Sequence, residues 1–518
     1  MSLWFIAFST FILCILIYRF LKFATKSSSS SLPLPPGPKP WPIIGNIPHL
    51  GTAPHQSLAA LAKTYGPLMY LKLGSVDAVV AASAAVAEQF LKVHDANFSS
   101  RPPNAGAKYI GYNYQDLVFG PYGPRWRLLR KITSVHLFCN KSLDEFKHLR
   151  QEEVTRLIQN LASNSGSKAV NLGQLLNVCT TNALAKVVLG RRVFNDGNGG
   201  FDPKADEFKD MVDELMVLGG VFNIGDFFPS LEWLDLQGVQ AKMKKLHKKF
   251  DAFLTNIIKE HETSNYSKSE KHKDLLSTLL SLKEEIDEDG NKLNDVEMKG
   301  LLLNMFVAGT ETTSITIEWA IAELLRNPKI LTKIQEELEK VVGRDTNVKE
   351  EDIPNLPYLQ AVIKETFRLH PPTPLSLPRI ASKSCEIFGY HIPKDSTLLV
   401  NVWAIARDPK KWVDPLEFKP ERFLSNGENY DVDVKGNDFE VIPFGAGRRI
   451  CAGMNLGIRM VQLQVATLVH SFDWELENGV SGENINMDEA FGLGILRAVP
   501  LLVHPKCRLS PHVYSSSL

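Results

Sequence analysis

The residues best suited to chemistry surround a cysteine in the C-terminal part of the chain. Residues 443–453 read Pro-Phe-Gly-Ala-Gly-Arg-Arg-Ile-Cys-Ala-Gly, and the apolar, glycine-free run 458–469 that follows predicts a helix. The positive end of that helix and exposed backbone N–H groups favour the thiolate form of Cys451. Arg448 and Arg449 offer cationic partners for carboxylates. The pattern therefore predicts that the sulfur binds a metal carried by a group that also has carboxylates. A haem has both the iron and the carboxylates.

The spacing around Cys451 resembles the haem-ligand loop of the cytochrome P450 family. A lone cysteine is more often a small buried apolar residue than a ligand, but its surroundings favour the ligand. A dinucleotide-binding fingerprint is rejected because Ile450 stands where the third glycine would be. The resemblance implies that Cys451 binds the iron of haem b and that its loop contacts the haem. The matching positions are Phe444, Gly447, Arg449, Cys451 and Gly453.

A second stretch with chemical potential lies in residues 301–325, which predict one long, largely buried helix. Gly309 inside it costs about 1 kcal/mol relative to alanine, so its presence asks for a reason, such as room for a small molecule. Glu311 and Thr312 place an acid beside an alcohol, a pair able to relay protons. A helix with a Ser/Thr-lined kink is the alternative. The resemblance implies that the pair delivers protons during the activation of O2.

Several polar residues gain a role only through this resemblance. Trp126 and Arg130 are one helical turn apart on one face. The resemblance implies that both contact the haem propionates, as does Arg379. It also implies that Glu365, Arg368 and Arg422 form a buried triad, structural rather than catalytic, whose disruption would strand a charge.

The substrate pocket is predicted from three parts of the chain. The Gly-, Pro-, Asn- and Tyr-rich segment 101–124 lacks helical periodicity, so it predicts a loop, which in the family lies over the substrate. The other predicted pocket residues lie on the long helix, after the Glu-x-x-Arg helix and in a late turn. They are Ala308, Thr373, Leu377, Leu493 and Gly494. His370, beside prolines, is interpreted as structural rather than as a metal ligand.

Within the family, three local runs are similar to plant flavonoid 3'-hydroxylases: residues 101–104, 219–227 and 434–440. They imply hydroxylation of a flavonoid B-ring at the 3' carbon. Gly494 stands where those enzymes usually have threonine, which predicts a wider pocket. The alternatives are another phenolic or a terpenoid as substrate, flavone formation, oxygen-independent isomerisation or dehydration, and a non-enzymatic haem protein.

Composition limits the partners of the protein. Lys+Arg and Asp+Glu are both 58, so the net charge is zero and nothing points to nucleic acid. Six scattered cysteines without a Cys-x-x-Cys pair argue against a disulfide framework and a zinc site. No flavin or NADPH fingerprint is evident, so a separate NADPH–cytochrome P450 reductase is expected to supply electrons.

The start of the chain predicts a membrane anchor. Residues 3–18 are almost wholly apolar, and the basic Arg19, Lys22 and Lys26 follow them. The segment reaches roughly 20 residues, enough to span lipid, and charge on its C-terminal side places the rest in the cytosol. A cleaved signal peptide would carry its charge before the apolar run. The resemblance implies the endoplasmic-reticulum membrane.

The remaining pattern predicts a large, mainly α-helical domain with a small β region. Amphipathic helices dominate residues 143–282, whereas residues 68–73 and 78–81 are β-rich. We therefore divide the chain into an anchor at 1–26, a Ser/Pro-rich linker and hinge at 27–42, and a catalytic domain at 43–518. The resemblance implies the cytochrome P450 fold, preceded by one transmembrane helix.

Overall fold

The computed structural model describes Thr10 and residues 32–166, 169–194, 203–263, 274–285, 292–492 and 494–515. The predicted anchor, apart from Thr10, and the serine spacer 27–31 lie outside the described residues. So does Leu493, one of the predicted pocket residues. No helix within the described ranges is long and apolar enough to cross a bilayer.

Helices are the main regular structure of the described chain, as predicted. In the N-terminal half they are α1 Pro54–Tyr65, α2 Ala84–Glu88, α3 Ala105–Tyr109, α4 Pro124–His136, α5 Asn140–Glu145, α6 Lys147–Ser163, α7 Leu172–Leu189, α8 Pro203–Gly220, α9 Ile224–Phe227 and α10 Val239–Thr263. In the C-terminal half they are α11 Leu275–Glu284, α12 Asp295–Arg326, α13 Pro328–Val341, α14 Pro357–Leu369, α15 Val402–Ile405, α16 Met454–Ser471 and α17 Pro511–Ser515.

Short turns of other helix types join these elements. One π-helical turn, Gln89–Val93, continues α2. The 3-10 turns are Ile47–His49, Pro229–Leu234, Ile353–Asn355, Pro420–Phe423, Gly447–Arg449, Glu477–Gly479 and Gly482–Asn484.

The strands form small sheets at the edge of the helical body. They are β1 Leu68–Leu73, β2 Val76–Ala81, β3 Val170–Asn171, β4 Arg379–Ile380, β5 Cys385–Ile387, β6 Tyr390–Ile392, β7 Thr397–Val400, β8 Phe472–Leu476, β9 Glu489–Phe491, β10 Ile495–Arg497 and β11 Leu502–Cys507. The largest sheet has the order β1-β2-β7-β4, in which β2 and β7 are parallel and the other neighbours antiparallel. The predicted pair of β-rich stretches is confirmed as the β1–β2 hairpin.

The central element is α12, which is longer than the predicted 301–325. Its start is set by a capping box. Asn294 Oδ1 accepts from the backbone N of Glu297 at 2.9 Å, and the Glu297 carboxylate accepts from the backbone N of Asn294 at 3.2 Å. Arg125 then donates to Glu297 Oε1 at 2.7 Å, which fastens α4 to this end. The helix is buried over most of its length because α7 and α16 pack against it.

Candidate active site

One cavity lies between α12, α4, α7 and the cysteine loop. Most of its wall is apolar, and most of the predicted site residues lie on it. These are Trp126, Arg130, Ala308, Thr312, Thr373, Leu377, Phe444, Arg449 and Cys451. Residues far apart in sequence are therefore brought to one enclosed space, as the predicted haem and substrate site requires.

The cysteine loop is held in a tight turn that presents the thiol to the cavity. Cys451 donates its backbone N–H to Phe444 O at 2.9 Å. Gly447 has φ +70° and lies so close to Leu91 that an added Cβ would be 2.3 Å from its carbonyl oxygen, so only glycine fits here. The helix α16 begins at Met454, three residues after the cysteine. Cys451 is solvent-accessible because its side chain faces the cavity.

The predicted preference for thiolate is only partly reproduced. The Gly453 backbone N–H and the Arg130 charge both lower the pKa of Cys451, as expected from the helix start. Desolvation by the surrounding protein outweighs them and raises the pKa above its ordinary value, although a water-sized molecule can reach the thiol through the cavity. A bound cation would offset this effect and favour the thiolate.

Arg449 is buried beside the cavity and donates to the loop before α4. Its Nε donates to Ser99 O at 2.6 Å, and another nitrogen donates to Gly120 O. Its guanidinium lies 4.3 Å from the centre of the Trp126 ring, a cation–π contact. Desolvation, together with the Arg379 charge, lowers the pKa of Arg449 to about 10.

Of two further predicted basic residues, Arg130 lines the cavity and Arg379 does not. Arg130 lines the cavity and donates to Ile450 O at 2.9 Å, next to the cysteine. Arg379 is buried behind the loop, donating to Ala446 O at 2.7 Å, with Asp95 at 3.5 Å. Arg379 is not among the side chains of the cavity wall, and burial lowers its pKa to about 10.

Arg101 belongs to this basic group, although the sequence analysis did not single it out as a site residue. It lines the cavity and donates to Leu377 O at 2.7 Å and to Val118 O at 3.1 Å. Burial and the charges of Arg379 and Arg449 hold the pKa of Arg101 well below its usual range. The one available signal was an arginine at the start of a pocket loop.

The donor set fits a haem. Buried guanidinium groups repel one another at low dielectric, and here they bond mainly to carbonyl oxygens, with Asp95 and Asp116 as nearby carboxylates. Two propionates would supply the negative charge that this cluster favours. Among the described residues, no group of three or more His, Cys, Asp or Glu side chains could hold a metal ion. Cys451 is the sulfur that lines the cavity beside this basic cluster.

On α12, Thr312 lies on the cavity wall and Glu311 does not. Thr312 lines the cavity and donates its hydroxyl to Ala308 O at 2.8 Å, the local bond expected of a threonine in a helix. Glu311 is absent from the cavity wall, and its carboxylate accepts from the Asn177 amide of α7 at 2.6 Å. Gly309 has a packing role as well, since an added Cβ would lie 2.9 Å from Leu184 Cδ2.

The Glu-x-x-Arg motif forms the predicted buried triad. Arg368 donates to both oxygens of Glu365, at 2.7 and 2.8 Å, and Arg422 donates to Glu365 Oε1 at 3.1 Å. All three side chains are 0% exposed. The remaining guanidinium donors reach backbone carbonyls, so every charge is paired or hydrogen-bonded.

Gly494 lies beside Pro372, which is part of the cavity wall. It is buried but not part of the cavity wall, and an added Cβ would lie 3.3 Å from Pro372 O and 3.4 Å from Ile315 Cδ1. The missing side chain thus affects the packing of the β9–β10 turn against α12. His370 is structural, as predicted: it bonds Glu323 at 2.8 Å and stacks on Trp319.

The chain is similar over most of its length to plant proteins of known name. The chain is 69% identical over 484 residues to a flavonoid 3'-monooxygenase of Petunia hybrida, covering 93% of this chain and 94% of that protein. It is 63% identical over 510 residues to a flavonoid 3'-monooxygenase of Arabidopsis thaliana, covering 98% of each.

Similarity to flavonoid 3',5'-hydroxylases is lower in sequence identity. A flavonoid 3',5'-hydroxylase of Eustoma exaltatum subsp. russellianum is 51% identical over 482 residues, covering 93% of this chain and 92% of that protein. The family model for cytochrome P450 matches residues 35–501, a span that includes α1 through β10 and the cysteine loop. This chain, with its cysteine loop, basic cluster and acid–alcohol helix, belongs to the cytochrome P450 family.

Proposed function

We propose that this protein is a haem-thiolate monooxygenase that hydroxylates the B-ring of a flavonoid at the 3' carbon. The observation that carries the proposal is the cavity itself, in which Cys451 and Thr312 share an apolar enclosure with the pocket residue Leu377. The substrate class rests on the two relatives at 69% and 63% identity, both named flavonoid 3'-monooxygenase. Relatives named for two ring positions are 51–52% identical, lower than these two, which favours single hydroxylation.

Each site residue has a distinct task in this proposal. A bound haem supplies the activation of O2 and the transfer of one oxygen atom to a C–H bond. Cys451 would hold the iron through its sulfur, and Phe444 of the same loop packs against Phe367. Trp126, Arg130 and Arg449 would bind the propionates from the cavity wall, and we add Arg101, which lines the same wall. Arg379 lies behind the loop, off that wall, and would contribute its positive charge.

The substrate side of the cavity would bind a flat aromatic molecule. Ala308 and Gly309 remove side-chain bulk from the α12 wall, whereas Leu377 and Val118 add apolar surface. Thr312 provides the hydroxyl that passes protons inward, and Glu311 provides the acid behind it. Water is kept out by the loop before α4, which Asn304 holds to α12 by accepting from the backbone N of Leu117 at 3.0 Å.

Two partners complete the proposal. Electrons from NADPH reach the site through a separate NADPH–cytochrome P450 reductase. The second partner is the lipid of the endoplasmic-reticulum membrane. Residues 1–26 anchor the chain in it, residues 27–42 form the linker, and the catalytic domain from residue 43 lies in the cytosol.

Exposed apolar side chains support membrane contact. Trp233 is 79% exposed and Ile43 is 76% exposed. Their two segments meet at the β1–β2 turn, because Ser75 donates to Phe227 O at 2.9 Å and Gly74 donates to Ile44 O at 3.2 Å. Such a patch on a soluble surface marks a contact with lipid or protein.

Product analysis tests the proposed reaction. Membranes containing the protein and a reductase are given NADPH and, in turn, naringenin, dihydrokaempferol and kaempferol. We expect each product to gain one hydroxyl at the 3' carbon. Membranes with Cys451→Ser serve as the control. A product hydroxylated elsewhere, a flavone, or turnover only with other phenolics or terpenoids would contradict the assignment.

A further inference from the structure

Glu311 is held by a residue from another helix. Its Oε2 accepts a hydrogen bond from Asn177 Nδ2 at 2.6 Å. Its neighbours Ala308 and Thr312 line the cavity, but Glu311 itself does not. The Glu311 carboxylate is thus bonded to α7, outside the wall that Thr312 lines.

The orientation of the Asn177 amide is set by a second contact. Thr181, one turn further along α7 and 2% exposed, donates its hydroxyl to Asn177 Oδ1 at 3.3 Å. Because the amide oxygen accepts from Thr181, the NH2 group is the side that faces Glu311. The amide therefore acts as a donor to the carboxylate.

The backbone of α7 is also fixed on both sides of Asn177. Gly173, one turn earlier, lies so close to α12 that an added Cβ would be 2.7 Å from Glu318 Oε2. Leu184, two turns later, packs against the gap left by Gly309. These contacts leave α7 little freedom to move along α12, so the distance between Asn177 and Glu311 is set by helix packing.

We propose that Asn177 is a positioning residue for proton delivery. It holds the Glu311 carboxylate in one place, from which protons taken from solvent pass through water toward the Thr312 hydroxyl. Fixing a proton donor in advance removes reorganisation from the reacting complex. The inference rests on the proposed role of Glu311, and it adds a residue from α7 that the Glu-Thr motif does not contain.

The test compares Asn177→Asp and Asn177→Ala with the unchanged protein. Asn177→Asp keeps the shape but removes the donor and adds a repelling charge. Gln174→Ala, an exposed change one turn away on the same helix, is the matched control. The measured quantities are product formed per NADPH consumed, the solvent deuterium isotope effect on product formation, and the carbon-monoxide spectrum as a check on the haem site.

We expect both Asn177 variants to keep the spectrum and substrate KM while product per NADPH falls about 10-fold and the isotope effect rises. Gln174→Ala should leave all of these unchanged. Equal coupling and isotope effects in Asn177→Asp and the unchanged protein would overturn the inference. A variant that misfolds is recognised because it loses the carbon-monoxide spectrum. Asn177→Gln retains the amide donor, so it should give more product per NADPH than Asn177→Asp.

A readout independent of activity is a thermal double-mutant cycle on the holoenzyme. Asn177→Ala should lower the melting temperature in the natural background and lower it less in a Glu311→Ala background. Additive shifts would overturn the contact. If Glu311→Gln itself leaves coupling unchanged, the proposed role of Glu311 fails. If Glu311→Gln uncouples the enzyme and Asn177→Asp does not, only the inference on Asn177 fails.

Discussion

At the scale of single residues, the site depends on side chains whose partners lie far away in sequence. The cysteine loop could be recognised from local spacing, because its glycines and arginine lie within ten residues of the thiol. Arg101 could not, since its partners Leu377 and Pro378 are more than 270 positions away, at separations of 276 and 277. The raised pKa of Cys451 was missed for a related reason, as burial is a property of the whole cavity.

The hydroxyl of Thr312 gives a prediction at this scale. In Thr312→Ala, product per NADPH should fall by about 10-fold or more while NADPH consumption continues, because the cavity loses the hydroxyl that passes protons. Hydrogen peroxide and product are measured together. Thr310→Ala is the control, since Thr310 bonds Phe306 O inside the helix and is not on the cavity wall. Normal coupling in Thr312→Ala would contradict the proton-relay role.

At the scale of elements, hydrophobic periodicity predicted much of the fold. The helix expected at 301–325 is observed as Asp295–Arg326, because a capping box that the periodicity did not include starts it earlier. The strands of the β1–β2 hairpin matched closely. The pocket role of the turn at Gly494 stays a prediction, because it depends on how β9 and β10 pack on α12. Local sequence does not contain that information.

The triad gives a prediction about how elements are held together. In Glu365→Gln, two buried guanidinium groups lose their carboxylate, which should destabilise the protein by about 3–5 kcal/mol. Urea unfolding and the haem content of the purified protein are measured. Glu475→Gln is the control, since its pair with Lys506 is exposed and should contribute about 1 kcal/mol or less. Equal stability of the two variants would show that the triad is dispensable.

At the scale of the whole molecule, the enzyme has a catalytic cavity and a separate apolar patch. The patch joins the segment around Ile43 to the one around Trp233, and it is the described surface best suited to lipid. We predict that this surface contacts the membrane.

Tryptophan quenching tests that orientation. In vesicles containing brominated lipid, fluorescence from the exposed Trp41 and Trp233 should be quenched, because both would lie at the lipid interface. Trp319 and Trp412 are fully buried and should be unaffected. Trp233→Phe should remove part of the quenching, whereas Trp319→Phe should not. Quenching that is unchanged by Trp233→Phe would place the patch away from lipid.

The most direct measurement is the absorption spectrum of the reduced, carbon-monoxide-bound protein beside that of Cys451→Ser. The account predicts a strongly red-shifted Soret band that is present with Cys451 and absent from the serine variant, because only a thiolate ligand produces that shift. An unshifted band in both proteins would contradict thiolate ligation by Cys451, and with it the function proposed for the cavity.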